Sequence, residues 1–241
     1  MSQLAILGVL LIDGERCYMM TDKKMLNTKY EILQCATKLF LEKGYTDAYV
    51  TTIAKLLHIS TGNLTFHFPT KEHILAELVR ELCTFQWQSE EREKKEELTL
   101  LTTYILELVM FAWVCMENYN IQDLVVAAYT HSMSLAIIRE SDTQRAMRIF
   151  GKYCPEWSEI DYIQAENIAS GIEYAMFRTE NTDDITFEQR VTSSLDAIMK
   201  LYEVPADIRK RTLTEVMAID YQRKGSRVFE EFCKHVERKM R

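Results

Sequence analysis

Turn-forming residues are scarce in this chain: seven glycines and three prolines in 241 residues. An all-β sandwich or barrel needs many more, while abundant Leu, Met, Ala, Glu and Lys favour helix throughout. The six cysteines, Cys17, Cys35, Cys83, Cys115, Cys154 and Cys233, include no C-x-x-C pair. That scatter fits reduced cytoplasmic thiols better than a disulfide framework or a zinc site. No G-x-S-x-G, P-loop or H-E-x-x-H occurs, and no Ser/Cys–His–Asp set can be nominated from spacing, so no enzyme chemistry is indicated. Internal repeats and low-complexity segments are also missing.

Long apolar runs are few. Leu4–Ile12, LAILGVLLI, is too short to span a bilayer. It also lacks the basic flank and small-residue cleavage site of a secretory signal. Asp13-Gly14 can form a hairpin turn after it. The favoured expectation is instead that translation starts at Met19 or Met20. Gly14-Glu15-Arg16 can be encoded by a purine-rich run resembling a ribosome-binding site. The stretch Leu98–Met116 is interrupted and flanked by charge, which predicts a buried central helix and no membrane span.

The net charge of −7 argues, taken alone, against nucleic acid. Its distribution matters more. Residues 1–80 hold 9 Lys+Arg against 8 Asp+Glu, whereas residues 81–241 hold 20 against 28. The acidic C-terminal part would not sit on phosphate. The N-terminal part can, if its bases cluster on one face.

Helical patterning starts at Thr28, where T-K-Y-E has capping-box spacing. Ile32, Leu33, Ala36, Leu39 and Phe40 then mark one apolar face, and Gly44 supplies the helix stop. Val50–Leu57 predicts a shorter helix with Ile53, Ala54 and Leu57 inward. His58-Ile59 is the corner, and its backbone needs a positive φ that His tolerates better than most non-glycine residues. Ser60 caps a third helix, Pro69 stops it, and Thr70 caps a fourth. The charged run Ser89–Glu97 reads as a solvated helix end or link. Further helices are expected over Ile121–Arg139, Asp142–Lys152, Glu159–Arg178, Phe187–Tyr202 and Pro205–Met240. Breaks fall at Asn118–Asn120, Cys154-Pro155 and Asn181–Asp184.

The unit Thr28–Leu78 resembles the DNA-binding domain of the tetracycline-repressor (TetR) family of bacterial regulators. The matching residues are Ile32, Ala36, Leu39-Phe40, Gly44-Tyr45, Val50, Ile53-Ala54, Ile59-Ser60, Gly62, Leu64, His67-Phe68, Lys71-Glu72 and Leu75, in register without a gap. Three positions depart from the family's pattern. Tyr49 stands where Thr is frequent, Leu57-His58 replaces an Ala-Gly pair, and Thr65 replaces a Tyr. The resemblance implies an all-α fold. A helix-turn-helix domain over 25–82 would follow an arm or mis-assigned start over 1–24. A larger effector-binding and dimerisation domain would occupy 83–241.

A recognition helix enters the major groove while its neighbours hold the backbone. On Thr61–His67, Leu64 and Phe68 can face the core. Thr61, Asn63, Thr65 and Phe66 lie away from it or at its edge. Asn63 can pair bidentately with adenine, and a Thr or Phe can pack on a thymine methyl. No Arg or Lys lies on this helix, which points to an A·T-leaning half-site. Gly62 lets backbone approach phosphate, and His67 can donate to it. Lys71 at the next helix start can hold a phosphate, and Thr51 and Thr52 are further phosphate or base candidates. An ordinary solvated helix face is the alternative for these positions. His58, His67 and His73 do not share one face, so no metal is expected, and no cofactor.

In the body, a Met-rich and aromatic stripe is most simply core. The family resemblance implies a cavity for a small apolar or aromatic effector, with Met110, Trp113, Met116, Tyr129, His131, Met133, Tyr174 and Phe177 as candidate lining residues. For His131 a satisfied core histidine is the plainer role. The small residues Ala165 and Ala169, interleaved with Ile168, Ile172 and Met176, allow close helix approach. With Leu195 of the following helix they resemble the family's dimerisation pair; internal packing is the alternative. The expectation is a cytoplasmic bacterial homodimer on double-stranded palindromic DNA, a repressor released by an effector. An all-helical protein-interaction module is the rival reading, and an enzyme the more remote one.

Overall fold

A computed structural model describes residues 28–93, 98–178 and 184–238. The expectations for the arm and the start codon lie outside them, as does most of the break at Asn181–Asp184. The described residues are helical with no strand. A first helix, α1, covers 28–43. It is followed by α2 (Val50–Leu56), α3 (Thr61–His67) and α4 (Lys71–Glu93). The remainder comprises α5 (Leu100–Glu117), α6 (Tyr119–Thr130), α7 (Ser132–Phe150), α8 (Glu159–Arg178), α9 (Phe187–Leu201), α10 (Ala206–Met217) and α11 (Tyr221–Arg238).

The head, α1–α3 with the first turns of α4, closes on Ile32, Ala36, Phe40, Ile53, Leu64 and Ile74, all fully buried. Its two sharp turns use positive φ. Gly44 has φ +80°, and a Cβ there would lie 2.7 Å from Asp123 Oδ2. His58 has φ +55° at the α2–α3 corner, as the sequence predicts. Helix α4 runs on from the head without a break and packs against α7.

In the body, α5 is the central helix, packed by α6, α8, α10 and α11. By length and hydropathy alone it could cross a bilayer. Ten of its residues are buried in the protein, as a core helix requires. Helix α11 comes close because Gly225 faces Met110, whose Cβ and carbonyl oxygen would each lie 3.2 Å from an added Cβ. Phe150 stacks on Tyr202 with ring centroids 4.2 Å apart, and Tyr104 meets Phe150 edge-on.

Three helix boundaries differ from the sequence expectation. The segment expected as Ile121–Arg139 is two helices, bent by 85° at an extended His131. Thr130 marks this break by turning its hydroxyl back onto the Val126 and Ala127 carbonyls. The expected start at Asp142 then falls inside α7. The segment Pro205–Met240 is likewise divided, between Met217 and Tyr221.

Candidate nucleic-acid interface and the interior of the body

Helix α3 is short but well fixed. The Ser60 hydroxyl accepts from the Asn63 amide at 3.1 Å, which caps its first turn. Leu64 and Phe68 anchor it in the head core. Thr61, Gly62 and Asn63 are exposed, Thr65 and His67 are half-buried, and Phe66 is 70% exposed. The Phe66 ring meets His67 edge-on at 5.3 Å. The Thr65 hydroxyl donates back to the Gly62 carbonyl at 3.2 Å. Thr51 and Thr52 lie in the first turn of α2, exposed and half-buried.

Two side chains here go beyond the sequence reading. Tyr49 precedes α2, gives it no side-chain cap and is 60% exposed. An aromatic where a polar cap is usual was the available signal. Lys71 is drawn inward. Its ammonium donates to the Tyr45 carbonyl at 2.8 Å and reaches the Thr46 carbonyl at 3.4 Å, 4.1 Å above the Tyr45 ring. Burial lowers its pKa against the opposing pull of Glu72, Asp123 and Asp47. Lys71 therefore ties α4 to the α1–α2 connection, whatever else it meets.

That connection is also held from the body. Asp123 on α6 accepts from the Thr46 amide at 2.7 Å and from its hydroxyl at 2.8 Å. Asn120 donates to the Glu42 carbonyl at 2.8 Å. At the far end of α6, His131 places its ring 5.3 Å from Tyr45. His131 thus sits at a helix break against the head, neither mid-helix nor in a body pocket.

Between head and body lies an apolar cavity of about 150 Å³, lined by α1, α4, α5, α6, α7, α8 and α11. Of the expected lining residues, Met110, Tyr129 and Phe177 border it. The other five do not. Trp113 packs edge-on against Phe187 and Tyr221, and Met116 packs against the body core. Met133 is exposed, Tyr174 accepts from Arg178, and His131 meets Tyr45. Met and aromatic side chains at helical spacing mark apolar faces, and most such faces simply meet other helices.

The cavity has one polar end, formed by Tyr104, Glu107, Asp142, Arg145 and Glu173. Arg145 pairs with Glu107 and with Asp142, the latter at 3.5 Å. Glu173 accepts from Tyr104 at 3.3 Å and from Tyr129 at 2.9 Å. Glu166, beside it, accepts from Tyr202 at 3.0 Å. Burial, reinforced by neighbouring carboxylates, lifts both glutamates well above the usual carboxyl range. The sequence reading missed this set. Glu166 and Glu173 stand seven residues apart, on the α8 face that also carries Tyr162, Ala169 and Met176; acids in an apolar stripe were the signal.

The expected dimer residues need correction. Ala165, Ala169, Met176 and Leu195 are fully or nearly fully buried within the single chain, where α8 meets α7 and α9. Ile172 is half-buried against the same core. Their spacing marks internal packing, and a second copy cannot reach the buried ones. Only Ile168 is exposed, together with Ile160 and Ile163.

Residues 32–78 match the family model for bacterial regulatory proteins of the tetR family. The HTH-type transcriptional regulator QacR of Staphylococcus aureus (strain Mu50) is 38% identical over 77 residues, 32% of this chain and 39% of QacR. The HTH-type transcriptional regulator HbdR of Aromatoleum sp. (strain CIB) is 28% identical over 131 residues, 52% of this chain and 56% of HbdR. The match therefore spans less than two thirds of either relative. A solved γ-butyrolactone receptor (ArpA-like protein) aligns over 84% of this chain and 99% of its own, with TM-score 0.42 and 17% identity, too loose a likeness to carry an argument. The family match falls on the helix-turn-helix unit that holds the capped third helix, the positive-φ corner and the buried anchors, and over those residues the chain is similar to bacterial regulatory proteins of the tetR family.

Proposed function

We propose that this chain is a DNA-binding transcriptional regulator that represses from a palindromic operator as a homodimer. The observation that carries the reading is α3. Leu64 is fully buried and the adjoining Phe68 nearly so, while Thr61, Asn63 and Phe66 stand in the open. Asn63 would read adenine, and Phe66 or Thr65 would pack on a thymine methyl. Thr51, Thr52, Gly62 and His67 would hold phosphates. Lys71 would present its remaining N–H to a phosphate while keeping its hold on Tyr45.

Helix α6 supports release by an effector. One end holds the head through Asn120 and Asp123; its other turns line the cavity through Leu124, Ala128 and Tyr129. About 150 Å³ is room for roughly one aromatic ring. A larger ligand would favour a conformer with α6 displaced, and so a different head position. The exposed α8 stripe of Ile160, Ile163 and Ile168 supports a second copy docking there. Light scattering should give twice the chain mass, and Ile168→Glu should lower it to one; a monomeric native protein would remove the dimer.

Binding to the chain's own upstream DNA, titrated against salt, tests the function. Lys71→Ala should weaken binding to all sequences alike and reduce the log–log salt slope by about 1. An unchanged slope would confine Lys71 to packing. A protein-docking head is the second reading, favoured by exposed Tyr49, Leu56 and Phe66; binding that ignores salt and DNA sequence would support it.

A further inference from the structure

We propose that Asp142, Glu166 and Glu173 form a binding site for a divalent cation of the hard, oxygen-ligated class, Mg²⁺, Ca²⁺ or Mn²⁺, between α7 and α8. Each offers one carboxylate oxygen, and the three oxygens lie within 4.8 Å of one another. Oxygens around such an ion, bound at roughly 2.0–2.6 Å, stand about 3–5 Å apart. The arrangement therefore needs little movement to close on a cation. With no thiol or imidazole in the set, the donors favour Mg²⁺, Ca²⁺ or Mn²⁺ over zinc or copper.

A second observation, separate from the acids being clustered, points to a ligand. Glu166 is 1% exposed, and its Oε1 has no hydrogen-bond partner. Its other oxygen accepts from Tyr202, so the carboxylate is held in place with one face unused. A fully buried acceptor without a protein donor is rare in folded proteins. A cation among the three carboxylates supplies what Oε1 lacks.

The surroundings suit such an ion. Tyr104 and Tyr129 each donate to one oxygen of Glu173, the kind of outer hydrogen bond that orients a metal ligand. Two arginines also act on the acids, Arg145 through its pairs with Asp142 and Glu107 and Arg139, which donates to Ser170, through the Glu166 charge; a bound cation shares the carboxylates with them. Asp142 and Glu173 also border the cavity. The site draws α7 and α8 together with Tyr104 of α5, Tyr129 of α6 and Tyr202 just after α9, and it stands independently of the proposed DNA reading.

The full chain, stripped with a chelator and free of DNA, is titrated with Mn²⁺ while free ion is followed by electron paramagnetic resonance. One saturable site per chain is expected, of micromolar affinity, with competition by Mg²⁺ or Ca²⁺ and a rise in Tm on loading. Glu166→Gln and Glu173→Gln keep side-chain size and should each weaken binding by about tenfold or more. Asp207→Asn, on exposed α10, should leave it unchanged. If either Gln variant fails to fold, Asp142→Asn takes its place. No saturable binding up to millimolar Mn²⁺, or binding unaltered by these changes, would overturn the site. Either result is read without DNA and leaves the regulator reading where it stood.

Discussion

Head and body handle polar side chains in opposite ways. In the head, Thr61 and Asn63 face outward from a closed apolar core, and little is polar inside. In the body, Glu166, Glu173 and Arg145 lie inside, while Ile160, Ile163 and Ile168 of α8 are exposed. A buried carboxylate is costly unless it is paired or coordinated. A solvated Asn on a helix costs almost nothing. The head's chemistry can therefore change by surface substitution alone, whereas the body's is tied to its packing.

The sharpest way to break this contrast is to exchange its consequences. Phe150→Ala removes a fully buried ring stacked on Tyr202 and should cost about 3–5 kcal/mol of stability. Urea unfolding measures it, and DNA affinity of the folded fraction should persist. Asn63→Ala should do the reverse. About 1–3 kcal/mol of discrimination between operator and altered sites should disappear, with stability within about 0.5 kcal/mol of the parent. Equal loss of stability in both variants would erase the distinction. Ser60→Ala tests whether the outward face depends on its frame. Loss of the cap onto Asn63 should cost about 1 kcal/mol and weaken binding to all sequences through a less ordered α3. A variant with full operator affinity would show that α3 needs no cap to be presented.

The head was legible in the sequence because its rules are local. A cap at Ser60, a stop at Pro69 and a positive φ at His58 each act within a few residues. The body obeys relations between distant segments. Nothing within α8 says whether Ala169 faces α7 or a second copy; that depends on which helix arrives there, and the structure buries it inside the chain. The bend at His131 has no Gly or Pro to announce it. Lys71 shows the same limit within the head. Its place at a helix start was legible, but the Tyr45 carbonyl that holds its ammonium lies 26 residues away. The buried acids were half-visible, since Glu166 and Glu173 share a helix face while Asp142 comes from another helix.

In this molecule α3 is the proposed DNA reader. Its most direct test is anisotropy titration of the native chain and Asn63→Ala against the chain's own upstream DNA and a scrambled duplex, across a salt series. The native chain should prefer the upstream DNA, with affinity falling steeply as salt rises. Asn63→Ala should keep the salt slope and lose most of the preference. Equal affinity for both duplexes in the native protein, or a preference untouched by Asn63→Ala, would contradict it.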